Sequence, residues 1–163
     1  MSELKHTREI MLHLTGPEGE YPVVTQMING QEYPAFTTVA PSLPAMFQIC
    51  MEHGDKEFVV SEDSRYSFKE VYFAACRVAN LLKARGIQKG DRVAVAMRNR
   101  PEWVMAYMGT LMAGAVVVPM NSWWTGPELD FGLNDCDAKL VFVDRSRLKR
   151  LQETANATPV INA

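Results

Sequence analysis

No stretch of this 163-residue sequence is apolar for long enough to cross a membrane. The longest candidate, Ala113-Gly-Ala-Val-Val-Val-Pro-Met120, falls far short of the ~20 residues a spanning helix requires. A secretory leader is not indicated either. The opening MSELKHTREIMLHL sets Glu3, Lys5, Arg8 and Glu9 among Ile10, Leu12 and Leu14, so it has no unbroken apolar core and no small-residue cleavage site. These absences point to a cytoplasmic protein with no transmembrane segment. Charge of one sign is also lacking: 17 basic residues against 19 acidic ones leave a net charge of -2. With no basic or acidic tail, nucleic acid and anionic membranes have no electrostatic reason to bind.

Cysteine is sparse. Cys50, Cys76 and Cys136 lie far apart, form no CxxC pair and have no histidine at ligand spacing, so a metal site or a dithiol motif is not supported. Cys76, among Ala74, Ala75 and Val78, reads as a small buried hydrophobe. The common catalytic and phosphate-binding signatures are missing as well. There is no G-x-x-x-x-G-K-[ST], no G-x-G-x-x-G, no G-x-S-x-G and no H-E-x-x-H.

What is present divides into two textures. Residues 1–41 read as an N-terminal arm. Within it, Tyr21–Met27 and Gln31–Thr37 are β-compatible and flank Asn29-Gly30, a dipeptide that tolerates positive φ at both centres of a type I′ turn, so a hairpin is expected. Residues 42–163 read as an α/β unit. A short helix over Ser42–Cys50 comes first, with Leu43, Met46, Phe47 and Cys50 at helical spacing.

Strands and helices then alternate. Phe58-Val-Val60, Arg92–Met97, Ala115–Val118 and Lys139–Val143 are short β-rich runs. The Val-rich ones suit an open, mostly parallel sheet with helices on both faces. Helices are expected over Phe68–Arg85 (ending at Gly86), Trp103–Met112, Glu128–Asn134 and Ser146–Thr154. Trp103–Met112 is apolar all round and so is expected to be buried. Three helix starts fit a cap residue with Glu three positions on: Ser67-Phe-Lys-Glu70, Asn99-Arg-Pro-Glu102 and Thr125-Gly-Pro-Glu128. The final residues, Thr158-Pro-Val-Ile-Asn-Ala163, resemble the start of another strand, which points to a sequence that continues.

Four segments carry a resemblance: Tyr66-Ser-Phe-Lys-Glu-Val71, Gly86-Ile-Gln-Lys-Gly-Asp-Arg-Val93, Asn99-Arg-Pro-Glu-Trp103 and Leu111–Asn121. Trp124-Thr-Gly-Pro-Glu-Leu129 and Leu133–Val141 extend it. In this order and spacing they resemble the N-terminal subdomain of the AMP-forming acyl-CoA synthetases, within the adenylate-forming superfamily. The likeness covers about Ser42 to Leu151. It implies a parent enzyme that uses Mg-ATP to convert a carboxylic acid, of the fatty-acid class, to an acyl-adenylate, and then passes the acyl group to coenzyme A. The family's phosphate loop ending in Lys, its Thr-Glu motif, its ribose-binding Asp and its C-terminal-domain Lys have no counterpart here. The resemblance therefore implies that this chain alone is inactive, with no catalytic residue of its own and no metal site. A standalone, non-catalytic binding module on the same scaffold is the competing reading.

The same resemblance suggests one binding position. In some members the nucleotide end of coenzyme A lies near the loop after the Ala-Gly…Pro strand and near arginines beyond the next strand. Those places correspond to Trp123 and Trp124, and to Arg145 and Arg147 in a run with Lys149 and Arg150. Indole rings could stack on adenine and guanidinium groups could fork onto phosphate. A solvated helix face, with the tryptophans packed against another domain, fits the same residues. Arg98 and Arg100 fall at the carboxyl end of a strand, where open α/β sheets bind ligands, although they also adjoin a helix start.

Overall fold

The computed structural model describes residues 2–163. It divides into two compact units that meet between Pro41 and Ser42. The first unit opens with a helix that the sequence reading did not anticipate, α1 (Ser2–Thr15). Ile10, Met11, Leu12 and Leu14 are confined to its last two turns, after a polar run from Lys5 to Glu9, so an apolar stripe does not extend along the helix to announce it. Ile10, Met11 and Leu12 are all exposed. The hairpin follows as β1 (Val23–Ile28) and β2 (Gln31–Phe36), in register from Val23 opposite Phe36 to Ile28 opposite Gln31. Asn29 (φ 51°) and Gly30 (φ 81°) supply the two positive φ angles its tight turn requires.

In the second unit, the expected first helix is two short pieces, α2 (Leu43–Phe47) and α3 (Cys50–His53), with the Ser42 side chain capping the first. The strands β3 (Glu57–Val60) and β4 (Arg65–Ser67) pair antiparallel as a separate hairpin. The run at Phe58 therefore lies outside the main sheet. Only four residues, 61–64, join it to β4, too few for a parallel crossover, and Ser61 N–H closes the turn on Ser64 O at 2.8 Å.

The main sheet contains β5 (Arg92–Ala96), β6 (Val116–Pro119), β7 (Ala138–Val143) and β8 (Val160–Asn162), in the order β6-β5-β7-β8 and all parallel. Helix α4 (Phe68–Ala84) leads into β5, and α5 (Pro101–Met112), α6 (Gly126–Asp135) and α7 (Arg145–Gln152) connect the strands in turn. Alternation along β5 distributes the core. Val93, Val95 and Met97 pack with Leu82 and Ala106 on one face, while Ala94 and Ala96 pack with Leu129, Leu133 and Leu151 on the other. Thus α4 and α5 cover one face and α6 and α7 the opposite one. A third cluster of Phe47, Cys50, Val71, Ala75 and Met108 joins α2, α3 and the β3–β4 hairpin to α4 and α5. Helix α5 serves two of these clusters, which explains its all-round apolarity.

The helix starts only partly follow the sequence pattern. At Ser67, the backbone N–H donates to Glu70 Oε2 at 2.8 Å and Glu70 N–H donates to Ser67 Oγ at 3.2 Å, a complete capping box. At Thr125, both the N–H and the hydroxyl donate to Glu128 Oε2, at 2.7 and 2.8 Å. Asn99, however, caps nothing. The N-cap of α5 is Arg100 (φ -128°, ψ 161°), whose side chain makes no capping bond, with Pro101 as the first helical residue. The pyrrolidine ring of Pro101 drives the residue before it out of the helical region, so Arg100 cannot be the first helical residue that a cap at Asn99 demands.

Candidate functional site

Because all four strands of the main sheet run the same way, the segments leaving β5, β6 and β7 gather at one edge. Those after β5 and β7 meet at Asp144, and the one after β6 joins them through Arg147. Asp144 follows β7 directly and is the N-cap of α7: its Oδ1 accepts Arg147 N–H at 3.0 Å. Its Oδ2 accepts Arg98 N–H from the end of β5 at 3.1 Å and Arg147 Nη1 at 2.9 Å. Burial would raise the Asp144 carboxyl. The N–H groups of Arg147 and Arg98, joined by the Arg147 guanidinium, outweigh it and hold the group below the ordinary aspartate value.

The guanidinium of Arg147 is buried, with only 2% of the residue exposed. Its remaining donors reach across to the loop after β6, where Nε meets Ser122 O at 2.8 Å and Nη2 meets the same oxygen. Arg150 Nη1 adds a bond to Trp124 O at 2.5 Å and a longer one to Ser122 O at 3.3 Å. The loop is packed from behind as well. The indole of Trp124 crosses Gly132 so closely that a Cβ there would lie 2.8 Å from its Cζ3. A Cβ on Gly126 would lie 2.6 Å from Arg150 O. Both glycines are therefore required for close approach rather than for their φ angles.

Between these anchored points stands Trp123, 78% exposed, with its N–H donated to Asn121 Oδ1 at 2.9 Å. Arg145, in the first turn of α7, is exposed too. The four residues singled out from sequence therefore separate into two pairs. Trp123 and Arg145 face solvent and could meet a ligand. Trp124 and Arg147 are directed into the fold, and the Arg147 guanidinium has its donors engaged by Asp144 and Ser122. As a set, the four do not offer a phosphate two free guanidiniums. Arg98 and Arg100 are exposed, and Arg100 Nε contacts Glu102 Oε2 at 3.3 Å. Sequence reasoning missed Asp144, the residue on which this edge converges.

An apolar groove of about 540 Å³ runs beside the same loop, between the open edge of β6 and α6, lined by Val118, Met120, Trp124, Phe131 and Cys136. No group of three or more metal-ligating side chains occurs among the described residues. The cysteines are unpaired, with Cys50 buried and Cys76 and Cys136 half-buried. Burial pushes the Cys50 and Cys136 thiols up, which suits packing rather than nucleophilic chemistry. No described helix is long and apolar enough to cross a membrane.

Comparison with known proteins gives a consistent result. The model of the family described as "AMP-binding enzyme" matches residues 46–162. The 4-hydroxybutyrate–CoA ligase 2 of Metallosphaera sedula is 36% identical over 99 residues, 61% of this chain and 18% of that protein. The long-chain-fatty-acid–CoA ligase FadD13 of Mycobacterium tuberculosis is 41% identical over 81 residues, 50% of this chain and 16% of that protein. Among solved structures, the N-terminal domain of FACL13 from Mycobacterium tuberculosis superposes with a TM-score of 0.67 at 30% identity, covering 75% of this chain and 33% of that one. The chain thus spans less than a fifth of the length of either ligase.

Proposed function

Since the chain belongs to the AMP-binding enzyme family, we propose that it forms the N-terminal part of an ATP-dependent ligase joining a carboxylic acid, of the fatty-acid class, to coenzyme A. One observation carries this reading: the family match runs through nearly the whole of the second unit, and the relatives sharing it bear the names of acid–CoA ligases. In the proposed reaction the carboxylate attacks the α-phosphorus of Mg-ATP and pyrophosphate leaves. The coenzyme A thiol then attacks the acyl carbon and AMP leaves. The groups that carry these steps belong to sequence outside this chain, which by itself binds no ATP tightly and catalyses neither step. Its own contribution is the scaffold and one face of the coenzyme A nucleotide site. Trp123 stacks on the purine and Arg145 meets a phosphate, while Trp124 and Arg147 hold the loop behind them.

The test compares the 163-residue chain with the protein encoded by its complete coding sequence. With ATP, Mg, coenzyme A and acids of increasing chain length, the complete protein is expected to release AMP and pyrophosphate in proportion to added acid, and the short chain neither. A coding sequence that stops at Ala163, or a complete protein with no acid-dependent AMP release, would replace this reading with a non-catalytic module. Micromolar binding of ATP by the short chain would contradict it as well.

A further inference from the structure

The bonding around Trp123 is more elaborate than a connection between β6 and α6 demands. Carbonyls on both sides of this exposed ring, Ser122 O and Trp124 O, are held by guanidinium groups of α7. Its flanks are fixed by the fit of Trp124 over Gly132 and of Gly126 against Arg150 O. The key donor, Arg147, is almost fully buried, and burying an arginine is costly where an apolar side chain would fill the space, as Leu151 does one turn later on the same helix. What an apolar residue cannot supply is direction. A guanidinium is a rigid planar fork, and here one arm is fixed by Asp144 while another edge points at Ser122 O, 25 residues away in sequence. Asp144 is itself immobilised by the N–H of Arg98 at the end of β5 and by that of Arg147. The orientation of Ser122 O is therefore tied to the central strands of the sheet.

We propose that Asp144 and Arg147 are positioning residues for Trp123: the buried ion pair fixes the peptide that enters the tryptophan through Ser122 O, while Arg150 holds Trp124 O beyond it, and so sets the angle at which its ring meets a nucleotide base. The choice of ligand rests on the coenzyme A reading above; the positioning does not. The planar fork is essential to it, so lysine, a single point of charge, can hold Asp144 or Ser122 O but cannot align both.

The full chain is labelled with 5-fluorotryptophan, and the fluorine resonance of Trp123 is identified by its loss in Trp123→Phe. Trp103, stacked on Tyr107 at 5.1 Å and packed on the opposite face of the sheet, reports on the rest of the fold. In Arg147→Met and Arg147→Lys the lines of Trp123 and Trp124 are expected to shift or broaden while that of Trp103 stays. Coenzyme A, titrated against the Trp123 line, is expected to bind about fivefold more weakly in Arg147→Met, as for a competent orientation populated about a fifth of the time. Lysine is expected to fall between. An unchanged Trp123 line in either variant that retains the Trp103 line overturns the proposal. If Arg147→Met also loses the Trp103 line, Arg147→Lys decides by the same criterion. Coenzyme A that moves no tryptophan line in the parent chain defeats the ligand reading alone, because the positioning is judged from the unliganded spectra.

Discussion

Replacing Gly109 with alanine sets two effects of opposite sign against each other. Gly109 lies inside α5, where alanine is favoured over glycine by about 1 kcal/mol. It also lies where α5 crosses α4. A Cβ built there stands 2.5 Å from Val78 Cβ, 2.6 Å from Val78 Cγ1 and 2.7 Å from Ala75 O. All three distances are well inside the ~3.5 Å at which carbon atoms are comfortable. Rotating Val78 would move only Cγ1; its Cβ and the Ala75 carbonyl move only with α4 itself. The helices must therefore part, and α5 has the sheet and the third cluster on its other sides, with Ala106 and Met108 buried there. Overpacking of this kind costs about 1–3 kcal/mol, and rigid obstacles put it near the upper end. The net expectation is a loss of about 2 kcal/mol, read as a lower urea midpoint and a Tm reduced by about 6 °C. Gly109→Ala combined with Val78→Ala should regain only part, since the carbonyl remains. A single variant as stable as the parent, or more stable, would mean that the crossing is not as close as described and would refute the reasoning.

Two further expectations concern the helix starts. Asp144→Asn keeps the cap acceptor but leaves buried Arg147 without its counter-charge, for a loss of about 3 kcal/mol near neutral pH by urea denaturation. Because the folded Asp144 carboxyl titrates below the ordinary value, its stabilisation is complete above the unfolded pKa of about 4 and disappears as pH falls through the lower folded one. The gap between parent and Asp144→Asn must therefore close on acidification, and a gap constant down to the acid transition would contradict the pairing. Ser67→Ala removes one side of the α4 capping box and should lower the Tm by about 3 °C. Asn99→Ala, at the start where no such box forms, should leave the Tm unchanged within error, and equal effects at the two positions would count against the cap assignments.

Much of the fold was legible because its signals are local. The sheet strands announce themselves as valine-rich runs, and Asn29-Gly30 and Gly86 mark places where the chain must adopt positive φ (81° at Gly30, 80° at Gly86). Reading failed where the outcome depends on something a short window does not contain. Helix α1 has its apolar residues from Ile10 to Leu14 only in the last turns, too short a stretch for a period to stand out. The Phe58 run looks like any other strand, and the short link to Arg65 says only that the two pair antiparallel, not that their hairpin stands apart from the parallel sheet. At Asn99 the cap pattern competed with the steric demand of Pro101, and the steric demand won.

The site was less legible, because the same arginines read as a solvated run when counted and as something else when placed on a helix. Along α7, Arg147 and Leu151 are one turn apart and are its two buried residues, whereas Arg145 and Lys149 fall on the outer face. A charged residue on the inward stripe of a helix must bring a counter-charge with it, since an unpaired guanidinium cannot be buried. The nearest candidate was already in view: Asp144, immediately after a valine-rich strand and three residues before Arg147, where an N-cap aspartate belongs. Helical periodicity thus contained enough to predict a buried Asp144–Arg147 pair and to separate Arg147 from Arg145. It could not predict what the other edge of the guanidinium would hold. Ser122 O lies 25 residues away and is brought there only by the crossover that sets β6 and β7 on either side of β5. A charge run can be sorted into solvated and structural members from sequence, but what the structural member is for depends on the topology.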